Sequence, residues 1–137
     1  MRVSVIAWRR FRSADTVSGM ARSRLRLVAG DTGKFINAAM DTKAAGLVVE
    51  AFGRGNMSEA VMAAIHSARK AGVIVVLASR VAEGRIDLRP ELLEAGVITS
   101  EGLDGLKARM LLTVALGAAR DVPTIQRWFE QAGGVSQ

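Results

Sequence analysis

A glycine-rich loop carries the strongest chemical signal in this sequence. Its residues Gly53-Arg54-Gly55-Asn56 follow an apolar run and precede a helical pattern. Two glycines permit a tight turn or a close approach of the backbone to a ligand, and the amide of Asn56 could then contact a polar ligand. The simpler interpretation makes Asn56 the N-cap of the next helix, with Glu59 completing a capping pair. Spacing alone leaves both interpretations open.

Other motifs for chemistry are incomplete. A dinucleotide-binding fingerprint would need a third glycine where Ser58 stands, and no phosphate-binding P-loop pattern is present. The chain has no cysteine and one histidine, His66, which excludes thiolate and multi-histidine metal sites. His66 falls on the polar face of its predicted helix, so we expect a solvated side chain. Asp31 and Thr32 are most simply turn residues.

The net positive charge lies at the start of the chain. Residues 1–26 hold seven arginines against one acid, Asp15, whereas the remaining residues hold twelve bases and twelve acids. We interpret residues 1–23 as an arginine-rich linker or tail, with nucleic-acid binding, membrane-surface contact or a transit peptide as weaker alternatives. No apolar run approaches the roughly 20 residues that cross a bilayer, and no secretory pattern is present. We therefore expect a cytoplasmic protein with no membrane partner.

From Leu25 onward, short apolar runs alternate with helical patterns, which is typical of a parallel sheet built from βαβ units. The predicted fold class is a small, mostly parallel four-stranded α/β sheet with helices on both faces, over residues 24–137. The predicted strands are Leu25–Ala29, Gly46–Ala51, Val73–Ala78 and Val97–Thr99. The predicted helices are Lys34–Asp41, Ser58–Ala71, Glu91–Ala95, Leu103–Ala119 and a last helix that Asp121 caps, with Pro123 in its first turn.

The helical patterns also predict which side chains face the core. In the first helix these are Phe35, Ile36, Ala39 and Met40; in the long helix they are Leu106, Met110, Leu111, Val114 and Ala118; in the last they are Ile125, Trp128 and Phe129. Ligands of such sheets bind beyond the carboxyl ends of the strands. That rule indicates Gly30–Gly33, Phe52–Ser58 and Ser79–Ile86 as the walls of a site.

Four segments, in order, resemble the C-terminal domain of L-asparaginases. Ala45–Asn56 is similar to its strand and GxGN loop, and Ser79–Ile86 is similar to its S-R-V-x-x-G-x-V segment. Leu106–Leu112 is similar to its K-A-R-x-L-L helix, which follows a G-x-I strand matched by Gly96-Val97-Ile98. Ile125–Phe129 resembles its last helix.

The resemblance implies a homo-oligomeric amidohydrolase that converts L-asparagine to L-aspartate and ammonia without cofactor or metal. In that family the GxGN asparagine helps to complete the site of a neighbouring subunit, which assigns substrate binding to Asn56 and its neighbour Gly55. Glu83 is the nearest candidate for a carboxylate that follows the S-R-V segment. The family's nucleophilic threonine motifs lie in a larger N-terminal domain and are absent here, so we expect no catalytic residue in this chain.

The expected partners are therefore L-asparagine or L-aspartate, together with further copies of the chain or an N-terminal asparaginase half. Nucleic acid is not an expected partner of the folded body. The alternative function is a stand-alone oligomerising or small-ligand-binding module without catalysis.

Overall fold

Four parallel strands form one sheet in the order in which they occur along the chain. The computed structural model describes residues 23–82, 85–119 and 121–133. The strands are β1 (Ser23–Arg26), β2 (Gly46–Ala51), β3 (Ile74–Ser79) and β4 (Ile98–Thr99), and the helices are α1 (Lys34–Asp41), α2 (Glu59–Lys70), α3 (Pro90–Glu94), α4 (Gly105–Ala118) and α5 (Val122–Gly133). The predicted fold class is confirmed. The predicted linker lies outside the described residues except for Ser23.

Helices cover both faces of the sheet. Side chains of Leu47, Val49 and Ala51 pack with α1, α2 and α3, whereas Val48 packs with α4 and α5. Because strands of this order are joined by right-handed crossovers, the three connecting helices lie on one face. The two helices that follow β4 cover the other. Every residue of β2 is buried, which explains its nearly continuous apolar sequence.

Polar side chains mark where the helices begin. The hydroxyl of Ser58 accepts the amide hydrogen of Val61 at 3.2 Å and caps α2, so the interpretation of Asn56 as this N-cap is wrong. Asp121 accepts the amide hydrogen of Thr124 at 2.9 Å, which confirms its predicted capping role. Asp104 caps α4 in the same way. No helix within the three described ranges has the length and apolar character to cross a membrane.

The first strand ends at Arg26, three residues before the end of the predicted strand Leu25–Ala29. It pairs with β2 so that Arg26 lies opposite Glu50, and the side chain of Arg26 bonds that glutamate. The chain then turns at Ala29 and Gly30. Hydrophobicity alone favours the later, more apolar stretch, whereas the two arginines of the stretch that pairs with β2 form ion pairs with Glu50.

The predicted inner face of α4 is largely wrong. Leu106, Met110 and Val114 are exposed, and the helix instead buries Gly105, Ala108, Leu112, Ala115 and Leu116. Small residues allow α4 to lie close to β2: a Cβ atom at Gly46 would lie 2.7 Å from Leu116 Cδ1, and one at Gly105 would overlap the Glu50 side chain. In α1, Phe35 is also exposed rather than buried, while Ile36 and Ala39 are buried as predicted.

Candidate functional site

The loop between β2 and α2 is closed by its own backbone. Phe52 donates its amide hydrogen to the carbonyl oxygen of Asn56 at 3.2 Å, and Asn56 donates back to Phe52 at 2.8 Å. Gly55 donates to the same Phe52 oxygen at 2.9 Å. These three bonds fix the loop through its own backbone. Gly55 has a φ of 111°, which disfavours any residue with a Cβ atom.

The end of β3 holds this loop from the sheet side. Ser79 Oγ donates to the carbonyl oxygen of Gly53 at 2.8 Å. The guanidinium of Arg80 donates to the carbonyl oxygen of Leu27 at 2.7 Å, and its carbon atom lies 4.7 Å from the centre of the Phe52 ring. The two residues therefore join the carboxyl ends of β1, β2 and β3, as expected for neighbouring parallel strands.

A second contact fixes the outer side of the loop. Asp87 donates its amide hydrogen to the carbonyl oxygen of Arg54 at 2.8 Å, and the two side chains form an ion pair at 3.0 Å. Both side chains are mostly exposed, so the ion pair contributes little to stability. The backbone bond sets the position of the chain. The described residues of the predicted walls Phe52–Ser58 and Ser79–Ile86 thus come together at one edge of the sheet.

A pocket of about 270 Å³ lies beside the loop at this edge. One wall is the turn that follows β1, and the other is formed by Phe52, Asn56, Met57, Ser58 and Val61. Within the described part of the chain, the exposed side-chain amide of Asn56 makes no hydrogen bond. Ser58, rather than Asn56, caps α2. The Ser58 hydroxyl also donates to the carbonyl oxygen of Asp31 at 2.8 Å. Asn56 is therefore fixed through its backbone and free at its side chain.

Asp31 lines the pocket as part of the turn after β1. Its side chain accepts the amide hydrogen of Gly33 at 2.9 Å, which supports its interpretation as a turn residue. His66 lies on α2 beside a separate, shallow cleft lined also by Arg69 and Lys70. Glu83 lies outside the described residues.

Glu50 is a buried carboxylate that no sequence motif predicted. It is 2% exposed and accepts hydrogen bonds from Arg24 at 3.0 Å and from Arg26 at 2.7 Å. The hydrogen bond to Glu50 and the attraction of its charge raise the pKa of Arg26. Because Glu50 faces α4, it lies on the opposite side of the sheet from the pocket. The sequence does contain a signal for this cluster. An acid lies inside the apolar strand β2, and two arginines occupy alternate positions of β1.

The fold and the loop define a small α/β domain that presents one unengaged amide at the carboxyl edge of a parallel sheet. The chain belongs to the glutaminase/asparaginase C-terminal domain family, whose model matches residues 23–129.

Similar proteins agree with this assignment. L-asparaginase 2 of Bacillus subtilis is 34% identical over 101 residues, which are 74% of this chain and 27% of that protein. L-asparaginase 2 of Escherichia coli is 35% identical over 96 residues, covering 69% of this chain and 28% of the relative. The crystal structure of a probable cytoplasmic L-asparaginase from Campylobacter jejuni superposes with a TM-score of 0.73 at 30% identity and covers 78% of this chain and 34% of that one. The chain thus spans about a third or less of each of these proteins.

Proposed function

We propose that this chain is the substrate-binding, assembly-forming C-terminal part of an L-asparaginase-type amidohydrolase. The observation that carries the proposal is the Asn56 amide, which is exposed and without a partner among the described residues on a loop held from both sides. The L-asparaginase relatives support the substrate class. In this proposal Asn56 contacts L-asparagine, or the product L-aspartate, in a site that another domain completes.

The chemistry of an amide suits this role. Its oxygen accepts from an α-ammonium group, and its NH₂ group donates to a carboxylate. A loop that is held by hydrogen bonds within the chain avoids much of the entropic cost of ordering it on binding. Gly55 gives its amide hydrogen to Phe52, so its part is to shape the loop while Asn56 makes the contact. Glu83 remains the proposed second polar contact.

Hydrolysis requires a partner in this proposal. A hydroxyl nucleophile needs an activating base within hydrogen-bond reach, and the threonine motifs that the resemblance implies are absent from the sequence. The relatives are about three to four times longer than their matched segments. An N-terminal asparaginase part, acting within an assembly of several subunits, would supply the nucleophile. A cytoplasmic location belongs to the proposal and is supported by the similarity to the probable cytoplasmic L-asparaginase of Campylobacter jejuni.

Reconstitution tests the proposal. The chain is mixed with the part of Bacillus subtilis L-asparaginase 2 that precedes the matched segment, and ammonia release from L-asparagine is measured. We expect release from the pair and none from either part alone. Replacement of Asn56 by alanine should lower kcat/KM about tenfold or more, the effect of losing one to two hydrogen bonds at about 1.4 kcal/mol per factor of ten. The matched control is Asn37→Ala, an exposed asparagine on α1.

Two results would contradict the proposal: robust turnover by this chain alone, or an Asn56→Ala pair as active as the Asn37→Ala pair. The stand-alone binding module is not favoured, because the relatives described above are L-asparaginases. These L-asparaginases give no indication of a nucleic-acid or membrane partner for the folded body.

A further inference from the structure

The side chain of Arg80 contacts both walls of the pocket beside the Asn56 loop. Its Nη1 atom donates to the carbonyl oxygen of Leu27 at 2.7 Å, and Leu27 belongs to the wall that follows β1. Its guanidinium carbon lies 4.7 Å from the centre of the Phe52 ring, which belongs to the opposite wall. Arg80 itself is not among the residues that line the pocket. It therefore holds the two walls together from outside the pocket.

Phe52 connects Arg80 to Asn56. The backbone of Phe52 exchanges two hydrogen bonds with the backbone of Asn56, at 3.2 and 2.8 Å. Phe52 is half-buried, so core packing alone does not enclose its ring, and the stacked guanidinium restricts the rotamers open to it. The backbone amide of Arg80 also donates to the carbonyl oxygen of Ala51 at 3.0 Å. Arg80 thus contacts both residues from which the Asn56 loop starts.

A guanidinium is an unfavourable choice for packing alone. Arg80 is half-buried, and within residues 23–82, 85–119 and 121–133 it forms no ion pair. Taking a charge out of water without a counter-charge lowers stability, and an apolar side chain of similar length would cover the Phe52 ring without that cost. Residues that lower stability are expected where a required geometry outweighs it. The position of Arg80 beside the Asn56 loop fits such a role.

We propose that Arg80 is a positioning residue for substrate binding, which acts on L-asparagine only through Asn56. Its guanidinium, bonded to Leu27 and stacked on Phe52, holds the backbone from which the Asn56 amide projects. The inference rests on the proposed function for the identity of the ligand. A contact that is held in place before binding costs less entropy to form, so loss of the guanidinium weakens substrate binding although the amide is still present.

Substitution by methionine tests the guanidinium separately from the space that it fills. Arg80→Met keeps an unbranched apolar side chain but loses the charge and the hydrogen-bond donors. The reconstituted pair described above is assayed for kcat and KM of ammonia release. We expect Arg80→Met to lower kcat/KM about fivefold, the effect of about one hydrogen bond, chiefly by raising KM. Its urea midpoint should stay close to that of the unsubstituted chain, because relief of the desolvation cost offsets the lost bond.

Arg89→Met is the matched control. Arg89 is an exposed arginine in the same connection between β3 and α3. In the described part of the chain its side chain bonds only the sulfur atom of Met62, at 3.5 Å. We therefore expect Arg89→Met to leave both kcat and KM unchanged.

Combination with Asn56→Ala tests whether Arg80 acts through Asn56. If the Asn56 amide is the only path, Arg80→Met has no further effect on KM once that amide is absent. Two independent effects would instead multiply, and so would a general loss of stability. We expect the double variant to match Asn56→Ala alone.

NMR on the full chain alone separates this inference from the proposed function. Relaxation of the backbone amides of Gly55 and Asn56 should show more motion in Arg80→Met than in Arg89→Met, whether or not the pair releases ammonia. Altered motion without ammonia release from any pair would refute the proposed function and leave the support of the loop by Arg80 standing. Three results would overturn the inference: full kcat/KM in Arg80→Met, multiplied losses in the double variant, or unchanged motion of the loop.

Discussion

Ser79 Oγ lies 2.8 Å from the carbonyl oxygen of Gly53 and donates a hydrogen bond to it, so β3 supports the loop that presents Asn56. The same hydroxyl accepts the amide hydrogen of Val81 at 3.3 Å. One side chain therefore links the end of its own strand to the neighbouring loop. The geometry of the Asn56 loop thus depends on a residue that does not line the pocket.

Replacement of Ser79 by alanine should loosen the loop. It leaves the Gly53 oxygen without its donor, and we expect the free energy of unfolding to fall by about 1 kcal/mol. Amide hydrogen exchange at Gly55 and Asn56, followed by NMR, should accelerate more than exchange in β2. Ser67→Ala is the control, because Ser67 donates only to Ala63 within its own helix. Unchanged exchange in the loop would show that Ser79 does not hold it.

Replacement of Gly55 by alanine should strain the loop backbone. The φ of 111° is a conformation that residues with a Cβ atom rarely adopt, and the new Cβ would lie 3.4 Å from Ile86 Cγ2. We expect a loss of about 1–3 kcal/mol in urea unfolding. Gly53→Asn is the control, because Gly53 has a φ of 49° and open space around it, and asparagine tolerates that conformation. Equal losses for the two variants would contradict the prediction.

Local sequence was sufficient to predict the sheet and the position of the loop. The apolar stretch at β2 has both faces buried, so its bounds follow from composition alone. The cap of α2 was not predictable in this way. Ser58 and Asn56 are both good capping residues, so the sequence alone does not decide between them. In the structure the capping residue Ser58 also donates to the carbonyl oxygen of the distant Asp31.

Helix α4 shows a second limit of sequence patterns. Leu106, Met110 and Val114 repeat at helical spacing, and so do Ala108, Leu112 and Ala115. Periodicity therefore predicts two apolar faces and cannot choose between them. The face that contains Ala108, Leu112 and Ala115 packs against the sheet, and Leu106, Met110 and Val114 remain exposed. Gly46 and Gly105 permit this close approach, which the apolar pattern alone does not reveal.

The stability losses caused by replacing Arg24 and Arg26, the two partners of Glu50, should be strongly non-additive. Either arginine can compensate the buried carboxylate when the other is lost, and both arginines are partly exposed, so Arg24→Ala and Arg26→Ala should each shift the urea midpoint only slightly. The double variant leaves the Glu50 charge buried and unpaired, which is strongly unfavourable. A double-mutant cycle measures the coupling. A double variant whose loss equals the sum of the single losses would show that the two arginines act independently.

Asp104 should make the stability of α4 depend on pH. The backbone hydrogen bond from Lys107 is the main cause of a pKa of Asp104 below its ordinary value. A lowered pKa in the folded state means that the stabilisation is complete above the unfolded pKa of about 3.9. It is lost as pH falls through the folded pKa. Asp104→Ala should cost about 1 kcal/mol at pH 7.

Asp104→Asn separates the charge from the cap, because asparagine caps helices without titrating. The stability difference between the unsubstituted chain and Asp104→Asn, from urea unfolding, should be larger at pH 7 than at pH 3. The control is Asp41→Asn, whose aspartate makes no hydrogen bond or ion pair within the described ranges, and it should show no comparable change. A difference for Asp104→Asn that stays constant between the two pH values would mean that the carboxylate charge contributes nothing to the cap.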